Sequence, residues 1–186
     1  MDEVAEVVIV HTDGACHGNP GPGGWAAWWE SPNGPVELLG GCPDTTNNRM
    51  EIQAIHEALA ELRRRGYNGP VRIRTDSQYA LKGATEWRAG WERRGWRTAA
   101  KEPVKNADLW RALFALTDRL GRALCWEWVR GHSGDMGNER ADALAQEGLA
   151  RARHTSQSAG WRRQEGLLEP LVLVSVADPS PGRLSP

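Results

Sequence analysis

Val7-Val8-Ile9-Val10-His11-Thr12-Asp13-Gly14 is the stretch that decides the fold. A continuous run of β-branched apolar residues of this length reads as a strand buried on both faces. The run ends in a carboxylate and a glycine. A carboxylate carried into or beside a core is costly unless a cation or several donors meet it. The same Asp-Gly pair can also open a hairpin turn. Which reading holds depends on whether other carboxylates are aimed at the same place.

Downstream, the segment from Gly14 to Gly24 is rich in glycine and proline. It cannot be helix, and it predicts a tight turn that brings bare backbone to the surface. No Lys-Ser/Thr pair follows, so it is not a Walker loop, and no helix follows to make a dinucleotide site. Trp25–Trp29 and Val36–Leu39 read as a second and third strand, joined through Ser31-Pro32-Asn33-Gly34-Pro35. Such short connections predict an antiparallel meander.

Thr45-Thr46-Asn47-Asn48-Arg49-Met50-Glu51 then opens a helix, with Asn48 and Glu51 spaced as a capping box. The helix runs to about Arg65 and stops at Gly66. Ile52, Ile55, Leu59 and Leu62 form its apolar stripe. Glu51, four residues before Ile55, lies at the edge of that stripe, so it is either a cap or a carboxylate pointed at the sheet. Val71–Asp76 alternates as a strand and ends, like the first, in Asp. Strand, helix and strand imply a right-handed crossover and a parallel pair. Asp13 and Asp76 then share one carboxyl edge, where open α/β sheets place their sites. Asp76 could instead cap the helix that begins at Ser77.

Trp87, Arg88, Trp91, Arg93, Arg94, Trp96, Arg97, Lys101 and Lys105 interleave aromatics with cations, which suits a nucleic-acid backbone. A solvated helix with its tryptophans in the core would carry the same pattern. Leu109, Leu113, Leu116 and Leu120 mark a further helix ended at Gly121, and Ala123–Val129 the last strand. A glycine-punctuated loop, Arg130–Gly137, carries His132. On the final helix Asp142, Ala145 and Leu149 share the face turned to the body. From about residue 154 to Pro186, Ser, Gly, Arg and Pro dominate, apart from Leu171-Val172-Leu173-Val174. The reading is one domain over residues 1–153 and a mostly disordered tail over 154–186.

Composition sets bounds on function. The 186 residues carry a net charge of -1, so any basic surface must be local. Cys16, Cys42 and Cys125 are odd in number, far apart and without a CxxC pair. That argues against a disulfide framework or a zinc site and suits a reducing cytosol, hence a cytoplasmic protein. The acidic start Met1-Asp2-Glu3 does not resemble a signal peptide. No apolar run approaches membrane-spanning length, so no membrane partner is expected. The 10 tryptophans can be core or stacking platform.

Four carboxylates, Asp13, Glu51, Asp76 and Asp142, thus compete for one place. Converging carboxylates take up protons unless cations sit among them, and all-oxygen ligands select hard ions such as Mg²⁺ or Mn²⁺.

The sequence resembles the bacterial type 1 ribonucleases H, or ribonucleases HI. The matching segments are Thr12-Asp13-Gly14 with Gly18–Gly24, Thr45–Glu51, Thr75–Tyr79, Gly95-Trp96, Lys105-Asn106 with Asp108–Trp110, Trp126–Val129, and Gly131-His132 followed by Asn138–Asp142. The resemblance implies an α/β ribonuclease H-like fold, a five-stranded mixed sheet of order 3-2-1-4-5 with helices on both faces. It implies a monomeric endoribonuclease that hydrolyses the RNA strand of RNA–DNA hybrids, leaving 5′-phosphate and 3′-hydroxyl ends.

Carried over by position, Asp13, Glu51, Asp76 and Asp142 would hold two Mg²⁺ ions, with Mn²⁺ as the alternative. One ion would activate water and the other would stabilise the leaving oxygen. Asp13 would bridge the ions, Glu139 would assist at the second, and His132 would shuttle a proton or help product leave. Cys16, Asn19, Asn47, Asn48 and Gln78 would line the RNA minor groove, where the 2′-hydroxyl is displayed. Thr46 would sit at a DNA phosphate and Trp87 against DNA sugars, while Arg93, Arg94 and Trp96 would belong to a basic handle. Three features depart from the family pattern. Asp135 would add negative charge beside the ions, Glu92 and Glu102 interrupt the handle, and the tail has no counterpart. A catalytically silent hybrid-binding module and a related nuclease acting on DNA are the rival readings.

Overall fold

A computed structural model of the chain describes residues 5–120 and 124–173. The opening stretch forms strand β1 (Val8–Cys16), which runs past Asp13. It pairs antiparallel with β2 (Gly21–Trp29), and β2 pairs antiparallel with β3 (Val36–Thr45). The glycine-rich segment expected as a turn is therefore mostly strand, with the reversal confined to residues 17–20. Its small residues serve a close approach. A Cβ on Gly24 would lie 2.1 Å from the carbonyl oxygen of Ala145, so glycine there lets a helix rest directly on the sheet.

On its other side β1 pairs parallel with β4 (Val71–Thr75), and β4 pairs parallel with β5 (Leu124–Trp128). The crossover from the meander to β4 is helix α1 (Asn47–Arg64). Its cap is Thr46, whose hydroxyl accepts from the amide of Arg49, rather than Asn48 as the spacing suggested. Glu51 is thereby released from capping. Helix α2 (Gln78–Lys82) continues through a π-helical turn, Gly83–Trp87, into α3 (Arg88–Arg93). Helices α4 (Ala107–Leu120) and α5 (Met136–Ala152) complete the helices of the described residues. Gly121, expected to end α4, lies outside the described residues.

Among the described residues the sheet has seven strands, not five, in the order β5-β4-β1-β2-β3-β6-β7. The expected 3-2-1-4-5 order is intact within it. Strands β6 (Ala159–Gln164) and β7 (Leu167–Leu171) form a hairpin on the free edge of β3, so the expectation of a mostly disordered tail is corrected over that span. Val174 and the residues after it lie outside the described residues.

The hairpin is hidden in the sequence because ion pairs as well as apolar packing hold it. Arg162 reaches the buried Glu61 of α1 at 3.0 Å and Glu169 at 2.8 Å. Arg163 reaches Glu147 of α5 at 2.8 Å, and the Arg151 guanidinium lies 4.7 Å from the Trp161 ring centroid. The arginine stems meanwhile cover apolar surface. Leu171 and Leu173 pack against the main core.

Helices α1 and α4 lie on one face of the sheet and α5 on the other. The first side holds the larger core, built from Val10, Trp25, Trp29, Leu38, Ile52, Ile55, Leu59, Ile73, Trp110 and Leu113. The α5 side is a smaller cluster of Ala15, Ala26, Leu39, Leu144, Ala145 and Leu149. Burying each large aliphatic side chain contributes roughly 1.5–3 kcal/mol before entropy is counted. β1 and β4 lie in the sheet between these layers, and these two strands carry Asp13 and lead into Asp76.

Candidate active site

Oxygens of Asp13, Glu51 and Asp76 lie within 4.8 Å of one another. Three different elements bring them there. Asp13 sits within β1, Asp76 directly follows β4, and Glu51 occupies the second turn of α1. Asp13 is 6% exposed and Glu51 3%, so these are buried carboxylates rather than a solvated acidic patch. Asp76 is half-buried. Its side chain is not used as a cap, because the hydroxyl of Ser77 caps α2 by accepting from the amide of Ala80 at 3.0 Å.

Gly14 makes the meeting geometrically feasible. A Cβ there would lie 2.6 Å from the backbone nitrogen of Glu51 and 2.8 Å from the carbonyl carbon of Met50. Glycine lets the first turn of α1 press onto β1, so that Glu51 reaches Asp13. Gly14→Ala is expected to push α1 away, with a stability loss of roughly 2–3 kcal/mol and at least a hundredfold loss of activity. A chemical denaturation curve together with a cleavage assay checks both.

The electrostatics follow from burial and crowding. Asp13 is pushed up to about 7, first by burial and then by the charge of Asp76, against the amide of Gly14 that donates to it at 2.9 Å. Glu51 is raised well above the usual carboxylate range by burial and then by the charges of Asp13 and Asp76. Both carboxyls are thus pushed toward their neutral forms by burial and by the charges that neighbour them. The second oxygen of Glu51, Oε2, is buried without a hydrogen-bond partner. A cluster of buried, mutually repelling oxygen donors, with an orphaned oxygen inside, suits a hard divalent cation.

Asp142 lies on the second turn of α5, half-buried, and raises Asp13 by its charge. It stands outside the close group of three. Glu139, one turn earlier on α5, is exposed. His132 is exposed on the loop between β5 and α5 with a φ of 54°, a left-handed conformation uncommon for a residue with a side chain. Asp135 does not add a bare charge at the cluster as expected. Its carboxylate caps α5 through the amide of Asn138 at 2.8 Å and pairs with Arg74 at 3.0 Å.

The residues expected to contact the RNA strand lie on β1, the β1–β2 turn, α1 and α2. The thiol of Cys16 points at the carbonyls of Thr45 and Gly21, and burial pushes it up. Asn19 accepts from the amide of Asn47 at 2.9 Å, which ties the β1–β2 turn to the start of α1. The Thr46 hydroxyl is engaged as the α1 cap, while Asn48 and Gln78 are exposed.

In the basic segment, Trp87 is half-buried edge-on to Tyr79 at 5.7 Å. Trp96 packs against Trp91 and Phe114, with the Arg111 guanidinium 4.6 Å from its ring centroid. Arg93 and Arg94 are exposed at the end of α3. Glu92 is answered by Arg88 at 2.9 Å, and Arg88 also pairs with Asp118.

Two contributors went unnoticed in the sequence. The Trp128 indole donates to the Asp76 carbonyl at 3.1 Å, and Arg49 forms a bidentate pair with Asp108. Neither carries a sequence signal, because both depend on which elements become neighbours.

A mixed sheet of this order, with buried carboxylates gathered beside its central parallel strands, is the arrangement of a nuclease of the ribonuclease H-like class. The family model for RNase H matches residues 5–150. A ribonuclease H from Polaromonas naphthalenivorans is 58% identical over 145 residues, covering 78% of this chain and 88% of the relative. Among solved structures, LC9-RNase H1, described as a type 1 RNase H with the type 2 active-site motif, is 30% identical with a TM-score of 0.70. The match covers 92% of this chain and 80% of that one. LC11-RNase H1, solved in complex with an RNA/DNA hybrid, is 25% identical with a TM-score of 0.55, covering 78% of this chain and 98% of that one. The chain belongs to the ribonuclease H family.

Proposed function

We propose that this protein hydrolyses the RNA strand of RNA–DNA hybrids with two Mg²⁺ ions, leaving 5′-phosphate and 3′-hydroxyl ends. The observation that carries the reading is the convergence of Asp13, Glu51 and Asp76 within 4.8 Å in a chain of this family. Asp13, Glu51, Asp76 and Asp142 would hold the ions, and Mn²⁺ offers the same hard-ligand chemistry. When bound, such ions supply Lewis acidity to the scissile phosphate and lower the pKa of a coordinated water.

The chain's own residues do the rest. Asp13 and Glu51 are buried, so their charges act at low dielectric on whatever they face. An imidazole nitrogen of His132, carried on an exposed loop, would take a proton from the attacking water or deliver one to the leaving 3′-oxygen. Glu139 would assist from the first turn of α5. Asn19, Asn47, Asn48, Gln78 and Cys16 would contact the RNA strand, with Thr46 and Trp87 on the DNA side and Arg93, Arg94 and Trp96 in a basic handle that adds sequence-independent affinity. A 2′-hydroxyl is the group that sets RNA apart from DNA on such a surface. Among the described residues no helix is long and apolar enough to cross a membrane. We infer a monomer working in the cytoplasm.

A panel of end-labelled RNA–DNA hybrid, duplex DNA and duplex RNA tests the reading. Cleavage confined to the RNA strand of the hybrid is expected. An uncut hybrid would favour the binding-module reading, and cut duplex DNA the rival nuclease.

A further inference from the structure

The loop that carries His132 is fixed at both ends to consecutive residues of β4. At its upstream end the amide of Val129 donates to the Thr75 carbonyl at 2.9 Å. Gly131 then passes so close to the cluster that a Cβ there would lie 2.6 Å from Oδ2 of Asp76. At its downstream end Asp135 pairs with the Arg74 guanidinium at 3.0 Å, and the Trp28 indole donates to the Gly137 carbonyl at 2.9 Å. Trp28 is itself stacked on His11 of β1, with ring centroids 4.7 Å apart.

His132, Ser133 and Gly134 are exposed, and the Ser133 hydroxyl donates to the Arg130 carbonyl. Arg74 links the two sides of this loop. It stands on the strand that leads into Asp76, with Glu127 of β5 at 3.4 Å on one side and Asp135 on the other. Asp135 in turn is the cap of α5, the helix that carries Asp142.

We propose that the Arg74–Asp135 pair is a positioning element of the active site, setting His132 in register with Asp76. Arg74 and Asp135 touch neither water nor phosphate in this scheme; they act through the loop between them. A carboxylate shared between a backbone amide and a guanidinium holds both its direction and its distance, which a cap alone does not. A short loop pinned at its two ends keeps its tip within a small volume, and misplacement by about 1 Å costs catalysis heavily.

The inference rests on the reading of His132 as a proton carrier, and a double-mutant cycle separates the two. Asp135→Asn keeps a good helix cap while removing the charge that meets Arg74. It is expected to lower kcat on a hybrid about five- to tenfold with KM within twofold, and Arg74→Met is expected to do the same. His132→Ala alone is expected to lower kcat about a hundredfold. In the His132→Ala background, Asp135→Asn is then expected to change kcat by less than twofold, since there is no imidazole left to position.

An undiminished kcat in His132→Ala would overturn the reading of His132. If His132→Ala is impaired, the positioning role is overturned by an unchanged kcat in Asp135→Asn, or by an equal loss from Asp135→Asn with and without His132. Helicity and melting temperature of each variant, measured alongside, identify any loss that comes from unfolding. Should Asp135→Asn unfold, Arg74→Met carries the same cycle from the other side of the pair.

Discussion

Asp13→Asn is expected to lower hybrid cleavage by at least three powers of ten while making the cation-free protein more stable at pH 8. The two effects share one cause. Asp13 is buried beside Asp76, with Glu51 against it, and burial and crowding push it up to about 7. Its unfolded value is the ordinary 3.8. Between these two values the folded state binds more protons than the unfolded one, so stability falls as pH rises. The favourable contribution is complete below about pH 4 and is gone above about pH 7. Glu51, raised in the same direction, adds to the trend.

Asparagine carries no charge at any of these pH values. In a chelating buffer its melting temperature at pH 8 is expected to exceed that of the parent by roughly 5 °C, and at pH 4 the gap should close. Adding Mg²⁺ at pH 8 should restore the parent's stability and do little for the variant. Thermal melts across that pH range, with and without Mg²⁺, give the comparison.

The second large effect concerns stability alone. A chain ended after Arg153 is expected to be about 3 kcal/mol less stable than one ended after Leu173, a fall of roughly 6–12 °C in melting temperature. Three losses combine. The edge of β3 is left unpaired from Glu37 to Gly41. Glu61, 2% exposed, keeps Arg64 and Arg65 but loses Arg162. Glu37 and Glu147 lose Arg163, although Arg140 remains on Glu37 and Arg151 on Glu147. Removing one partner from a buried charge costs more than the contact itself is worth. Cleavage at 25 °C should survive within a fewfold, since among the described residues the hairpin's ion pairs and strand pairing go to β3, α1 and α5 at Glu37–Gly41, Glu61 and Glu147, away from the carboxylate cluster and the His132 loop. Melting curves and hybrid cleavage on the two truncated chains check this.

The carboxylate cluster was legible because each carboxylate is marked by its element. The apolar run of β1 carries Asp13, β4 leads directly into Asp76, and the stripe of α1 has Glu51 on its edge. Position along an element fixes direction, and three directions here point to one place. Asp142 shares the right face of α5, but a face does not give a distance, and it stands outside the close group.

The hairpin was not legible. Arginine-rich strands covered by ion pairs have the composition of a solvated tail until their carboxylate partners are known. Thr46 and Asn48 are both good capping residues, so spacing alone could not choose between them. Arg74 and Trp128 read as ordinary strand residues. Their roles exist only because parallel pairing sets β4 beside β5 and brings α5 back across β1.

The central claim is that Asp13, Glu51 and Asp76 form one divalent-cation site. Anomalous scattering from a crystal of the protein grown with Mn²⁺ tests it most directly. The account predicts a peak within about 2.2 Å of an Asp13 oxygen and of an oxygen from Glu51 or Asp76. An empty cluster in a crystal that binds Mn²⁺ elsewhere would contradict it.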